Sequence, residues 1–312
     1  MENKSINSIE AFAEEVSRAL RDKFENIETE IRKVDKVNGS YLGIVVREEG
    51  SSVAPTLYMD AAFEAYASGK VSFQDVFDDL CLYLEEAKKD GLEFDLEGLN
   101  DYDQVKKSLI VEVISAATNK ELLDTVPHML LEDLAIIYRF IVNAPVGKGT
   151  VLVTNTLLDQ FGVTSQQLHS DALTYAPLND PLTMKDLGSF MTRMLGGEVP
   201  EGAFDATSNI YIASNISGTY GAGVLVYDDF FEKAVEKMHG SFYIIPSSIH
   251  ELLLVPENGE IDCEMLTSMV KEVNCTTVHP SEKLSDNVYH YDSEEGIFEL
   301  GENYILRRAK GA

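Results

Sequence analysis

The run Ser247-Ser248-Ile-His250-Glu251 holds, by type, a nucleophile, a base and an orienting acid. Serine hydrolase chemistry needs the serine oxygen within hydrogen-bond reach of an imidazole that a carboxylate orients. On a helical turn, residues two apart face away from each other, and Ser248 with Glu251 has the spacing of a capping box. The spacing therefore predicts that Pro246 ends a strand, that Ser247 or Ser248 caps a single helical turn, and that Glu251 answers a backbone amide. Residues 252–255 then re-enter the sheet, with Ile244, Ile245, Leu253 and Val255 buried. Ser247, Ser248, His250 and Glu251 are the candidate catalytic residues of a hydrolase.

The remaining motifs lead to no cofactor and no metal. Gly147-Lys-Gly-Thr150 lacks the spacer and leading glycine of a phosphate loop and runs into a strand pattern, so it reads as a turn. Gly218-Thr-Tyr-Gly221-Ala-Gly223 has dinucleotide-type glycines in the wrong order and reads as a hairpin connection. His250-Glu251 opens like a zincin helix, yet Leu254 stands where the second ligand belongs. The pairs Asp78-Asp79 and Asp228-Asp229 lie in no calcium-loop pattern and read as helix caps or solvated faces.

Composition narrows the setting. Fifty-three Asp and Glu against 25 Lys and Arg give a formal charge of −28 over 312 residues. Such a field repels nucleic-acid phosphates and anionic membranes and attracts basic proteins or cations, so a protein partner is expected, without direct nucleic-acid or membrane binding. An apolar fraction of 45% argues for a packed core despite that charge. Cys81, Cys263 and Cys275 form no disulfide or zinc pattern, which suits a reducing compartment. The N-terminal run lacks a basic and an apolar signal region, and the apolar stretch 134–142, with Arg139 inside, is too short to span a membrane. A cytoplasmic location is expected.

Periodicity supplies the elements that must position these residues. Residues 7–24 form a helix with Ile9, Phe12, Val16 and Leu20 on one stripe and Asn7-Glu10 at capping spacing. Asn38-Gly39 between two strand patterns marks a hairpin, and a third strand covers 53–59, with Pro55 at an edge or start. Helices over 60–67 and from Ser72 follow, then an acidic loop over 91–103 and apolar segments at 109–114 and 134–142. Pro and Gly in 143–149 mark a boundary between modules at 1–145 and 146–312, the alternative being one continuous domain. Beyond it, 150–154 reads as a strand, with helices from Asn155 and Thr164 and over 184–195. Strands over 210–213, 223–227, 242–245 and 252–255 then interleave with helices over 228–238 and 262–273, and strands close the chain near 288–291 and 304–307. The fold class is α+β: an N-terminal helix plus antiparallel hairpin module packed with a C-terminal mixed-sheet α/β module.

Longer strings carry a family resemblance. Lys36-Val-Asn-Gly39, Val53-Ala-Pro-Thr-Leu-Tyr58, Asn119-Lys-Glu-Leu-Leu123 with Val126-Pro-His128, Asp133-Leu-Ala135, Ile245-Pro-Ser-Ser-Ile-His-Glu251 and Leu284-Ser-Asp-Asn-Val-Tyr289 are similar to one bacterial family. The chain resembles the family catalogued as domain of unknown function 5688, found in Gram-positive gut bacteria and often on mobile elements. The resemblance implies a bacterial, cytoplasmic protein and no particular activity. The favoured expectation is a non-enzymatic protein-binding or regulatory module. The alternatives are an acidic nucleic-acid mimic that inhibits a host nuclease or defence enzyme, resting on eleven acids against three bases in residues 51–100, and the hydrolase that would use Ser247 or Ser248 with His250.

Overall fold

The computed structural model describes residues 6–49, 54–89, 101–144, 147–194, 209–259 and 262–311. The chain divides into two compact units, residues 1–96 with 142–149, and residues 97–141 with 150–312. β6 (Leu134–Ala144) and β7 (Gly147–Leu152) pair with each other, so Gly147-Lys-Gly-Thr150, expected as a turn, lies in a strand.

In the first unit, α1 (Ile9–Lys23) starts at Ser8, whose hydroxyl accepts from the Ala11 amide at 3.2 Å. Ser8, one residue beyond the expected Asn7, is the cap. The stripe buries Phe12, Val16 and Leu20 completely. β1 (Ile27–Lys36) and β2 (Gly39–Glu48) form the expected antiparallel hairpin, with Asn38 at φ 60° and Gly39 already paired with Lys36. β3 (Thr56–Tyr58) joins the other edge of β2, and Pro55 precedes it. α2 (Met59–Ala67) and α3 (Phe73–Lys89) complete the unit. Phe12 lies 5.6 Å from Phe63, 5.4 Å from Tyr66 and 5.7 Å from Phe73, so one aromatic ring joins α1, α2 and α3. The acidic segment read as a loop lies outside the described residues as far as residue 100.

The second unit opens with the short α4 (Tyr102–Val105) and then β4 (Leu109–Ser115), in which every residue is buried. After α5 (Lys120–Leu123) and β5 (Met129–Leu131), β6 runs antiparallel to both β4 and β5. α6 (Asn155–Phe161) and α7 (Ser165–Asn179) are capped by Thr154 and Thr164, as the hydroxyl positions require. A six-stranded sheet follows in the order β13-β12-β10-β11-β9-β8. Its strands are β8 (Leu182–Asp186), β9 (Tyr211–Asn215), β10 (Phe242–Ser248), β11 (Glu251–Pro256), β12 (Tyr289–Asp292) and β13 (Ile297–Leu300). Each neighbouring pair is antiparallel. The module is therefore mixed in its helices and strands and not in its strand directions. α8 (Leu187–Met194), α9 (Phe230–Met238), α10 (Cys263–Thr276) and α11 (Gly301–Gly311) complete it.

Three element expectations are corrected here. Residues 184–186 belong to β8, because the Asp186 carboxylate takes the Ser189 amide at 2.7 Å and so starts the helix only after it. Residues 223–226 form a 3-10 turn with 221 and 222, not a strand, because the glycines there bring backbone against backbone. Residues 304–307 lie in α11; the strand is 297–300, and Arg307 reaches back from the helix to Asp292 and Glu299.

The best-defined cap in the first unit is Ser72, whose hydroxyl accepts from the Asp75 amide at 3.2 Å while Asp75 accepts from the Ser72 amide at 3.0 Å. Ser72→Ala should cost about 1 kcal/mol, measured as a lower midpoint in urea with an unchanged denaturant slope. An unchanged midpoint would mean that α3 does not need this cap.

Candidate functional site

The turn between β10 and β11 is a tight hairpin turn at Ile249 and His250, with Ser248 paired to Glu251. The expected helical turn is absent. β10 continues through Pro246 as far as Ser248, and the register shifts between Ile245 and Ser248. That bulge lets a proline, which has no amide to donate, sit within a strand. Ser248 accepts from the His250 amide at 3.0 Å, holding the turn from inside. The Ser247 hydroxyl faces the Glu251 carboxylate at 3.5 Å, so Glu251 answers a hydroxyl where a backbone amide was expected. Ile244 and Val255 are buried as anticipated, whereas Ile245 and Leu253 are half-buried.

The His250 ring is engaged elsewhere. Its Nδ1 accepts from the Tyr220 amide at 3.2 Å, and its carbonyl accepts from the Ser214 hydroxyl at 2.8 Å. Nε2 stands 3.9 Å from Glu282. Among the described residues, neither Ser247 nor Ser248 hydrogen-bonds the imidazole, so the turn holds the residue types of a triad without its connections.

The residues that converge on the turn come from elsewhere in the same unit. Opposed pairs Glu112↔Ile137 and Ile110↔Arg139 place Glu112 and Arg139 as diagonal neighbours on one face of the β4–β6 pair. Arg139 Nε donates to Glu112 Oε2, and the guanidinium lies over the Tyr220 ring at 4.7 Å. Tyr220 in turn faces His250 at 6.3 Å between ring centroids. Glu112 is fully buried and, among the described residues, its Oε1 has no hydrogen-bond partner. Burial raises its pKa, while Arg139 and, more weakly, His250 pull it down. Tyr220 itself sits at φ 55°, a left-handed backbone, and leads into Gly221. A Cβ at Gly221 would fall 2.0 Å from Ser214 Oγ and 2.2 Å from the His250 carbonyl.

A second polar group lies under α11. His290, fully buried on β12, meets Glu257 Oε2 through Nε2 at 3.0 Å and stacks on Tyr304 at 3.5 Å. The Tyr304 hydroxyl donates to the other oxygen of Glu257 and accepts from Arg308 at 2.8 Å. Nδ1 of His290 has no partner, so the neutral ring carries its proton on Nε2. Burial lowers the His290 pKa, and burial with Glu257 raises the Tyr304 pKa to about 12.

The model of a family of unknown function, DUF5688, matches residues 9–293. The chain belongs to that family. No curated protein and no solved structure matches it. In this DUF5688 protein no helix among the described residues is long and apolar enough to cross a membrane, and no three His, Cys, Asp or Glu side chains gather where they could hold a metal ion. Glu112, Arg139, Tyr220, Glu257 and Tyr304 were absent from the sequence candidates. A signal for two of them was present: Glu112 and Arg139 each interrupt an otherwise apolar strand, where a charge needs a partner.

Gly221→Ala should destabilise the protein by about 1–3 kcal/mol through overpacking, read as a lowered urea midpoint; native stability in the variant would show that the 214–250 contact can open freely. His290 provides a pH test. Below the ordinary value of 6.5 the unfolded chain gains a proton that the buried ring refuses. The His290 contribution is therefore present above that pH and is lost as the pH falls toward the lowered folded value. His290→Phe keeps a stacking ring, and its unfolding free energy should vary less steeply with pH below 6.5 than that of the native chain. Identical slopes would remove His290 as the source.

Proposed function

We propose that this DUF5688 protein is a non-enzymatic protein-binding or regulatory module that docks a partner on α10. One observation carries the reading. Met265, Met269 and Val273 recur at four-residue intervals along the helix and remain 45%, 53% and 47% exposed. The adjoining flank buries Leu266 and Val270 in a cluster with Tyr243, Val255 and Tyr304, so α10 is anchored beside this stripe and leaves it exposed. Exposed apolar side chains in one row differ from scattered single ones, because a partner can cover them together. Methionine suits such a surface, since its unbranched, polarisable side chain adapts to different neighbours. Helix-in-groove recognition uses anchors at this spacing.

Charge supports the same reading. Glu264 and Glu272 are exposed on the same helix, and the chain as a whole carries −28. A partner with basic residues around an apolar contact would gain from both. The nucleic-acid-mimic alternative draws less support from α3, whose exposed face mixes Asp79 and Glu86 with Leu82 and Tyr83, 61% and 57% exposed.

Met269→Glu should abolish capture of the partner from a bacterial lysate without changing the melting temperature. Leu178→Glu, at a residue 72% exposed in another helix, should leave capture intact. Equal capture by native protein and the Met269 variant would overturn the docking surface, and turnover of a substrate by the purified chain would overturn the non-enzymatic reading.

A further inference from the structure

We propose that Arg139 and His250, both packed against Tyr220, form a binding site for a small oxyanion, a carboxylate or a phosphate. The proposal is independent of the α10 surface. Three features of the guanidinium lead to it. Its Nε is committed to Glu112, and its face is committed to the Tyr220 ring at 4.7 Å. Among the described residues Nη1 and Nη2 take no hydrogen-bond partner, and neither is a buried orphan, so both reach solvent. The side chain is only 15% exposed. A guanidinium held on one edge and one face keeps its planar fork preset, so little rotamer freedom remains to be lost on binding. Charge-assisted bonds from such a fork match the two oxygens of a carboxylate or phosphate.

His250 supplies the second donor. Because Nδ1 accepts from the Tyr220 amide at 3.2 Å, the neutral ring carries its proton on Nε2. Glu282 Oε1 stands 3.9 Å from Nε2. That distance is beyond a hydrogen bond. Glu282 is half-exposed, so it stands near the place of an external oxyanion without occupying it. The surrounding charges set the strength. Glu112 on β4 offsets much of the Arg139 charge, and Glu282 and Glu251 add negative field around His250. The whole chain at −28 opposes the approach of an anion. Recognition therefore rests on directional bonds at short range, and binding in the millimolar range is expected. The orphaned Glu112 Oε1 lies at the inner end of this group. Its carboxyl, raised by burial, gains from protonation once an anion draws on Arg139. Binding should therefore tighten as the pH falls.

Calorimetric titration of the full chain with inorganic phosphate, and separately with acetate, tests the site. Saturable binding of at least one probe is expected, and the responding probe identifies a tetrahedral or a planar ligand. Arg139→Lys keeps the charge and removes the fork, so it should weaken binding by about tenfold at an unchanged melting temperature. Glu282→Gln removes the competing carboxylate on the exposed side and should tighten binding several-fold. Absence of saturation with both probes overturns the proposal, as does an unchanged affinity in Arg139→Lys. Should that variant fail to fold, equal or weaker binding by Glu282→Gln overturns it.

Discussion

The second unit depends on a place where no side chain fits. At Gly221 the backbone passes so close to the His250 carbonyl that a Cβ would lie 2.2 Å from it. Around that gap the Ala222 amide donates to the Ile249 carbonyl, the Ser214 hydroxyl to the His250 carbonyl, and the Tyr220 amide to His250 Nδ1. From the other side the Ile249 amide donates to the Glu282 carbonyl. One hairpin turn thereby ties together β9, the 3-10 turn and the segment after α10. Gly223 repeats the device one step on, its missing Cβ leaving room for the Val111 carbonyl 2.6 Å away. These approaches bring Tyr220 against both Arg139 and His250.

The ion pair beneath is expensive by ordinary standards. Removing a carboxylate from water costs several kcal/mol, and a hydrophobic pair of the same volume is often as stable. Glu112 has one oxygen satisfied and one orphaned, so the pair is not an optimised structural bridge. The contrast with Asp133 is instructive. Its two oxygens receive Ser285, Asn287 and Tyr289 at 2.9, 3.0 and 2.6 Å, which ties the β5–β6 turn to the start of β12. Asp133 reads as structure, whereas Glu112 with Arg139 keeps unused capacity.

Local signals proved legible wherever the chain itself closes the interaction. The Asn38-Gly39 hairpin, the α1 stripe, the Thr164 cap and the α10 helix all depend on residues within a few positions of one another. Asn215 belongs here too, its side chain accepting from Gly218 and donating to the Thr219 carbonyl as a loop clamp. Legibility fails where a distant partner decides. Residues 304–307 look like a strand, yet they lie in a helix from which Arg307 reaches back across β13 to Asp292 and Glu299, contacts that periodicity does not register. Residues 223–226 look like an apolar strand because periodicity cannot register that Gly223 is pressed against β4. The chemistry around His250 was hidden for the same reason: the serines next to it serve the turn, while Tyr220 and Glu282, which meet its ring, come from other segments.

The strand order also bears on how the chain acquires its shape. β10 and β11 form a local hairpin at the centre of the sheet, while β9 must find β11 across the whole of α9 and β10, and β12 must find β10 across α10. Long-range pairings of this kind close slowly because loop entropy is lost before contacts form. On a ribosome, β8 and β9 emerge first and pair with each other, leaving the inner side of β9 unpaired until β11 has been made. An open strand edge is a template for association with another chain. The dense negative charge gives every nascent copy a mutual repulsion during that interval. The acid excess thus serves the half-made protein as much as the finished one.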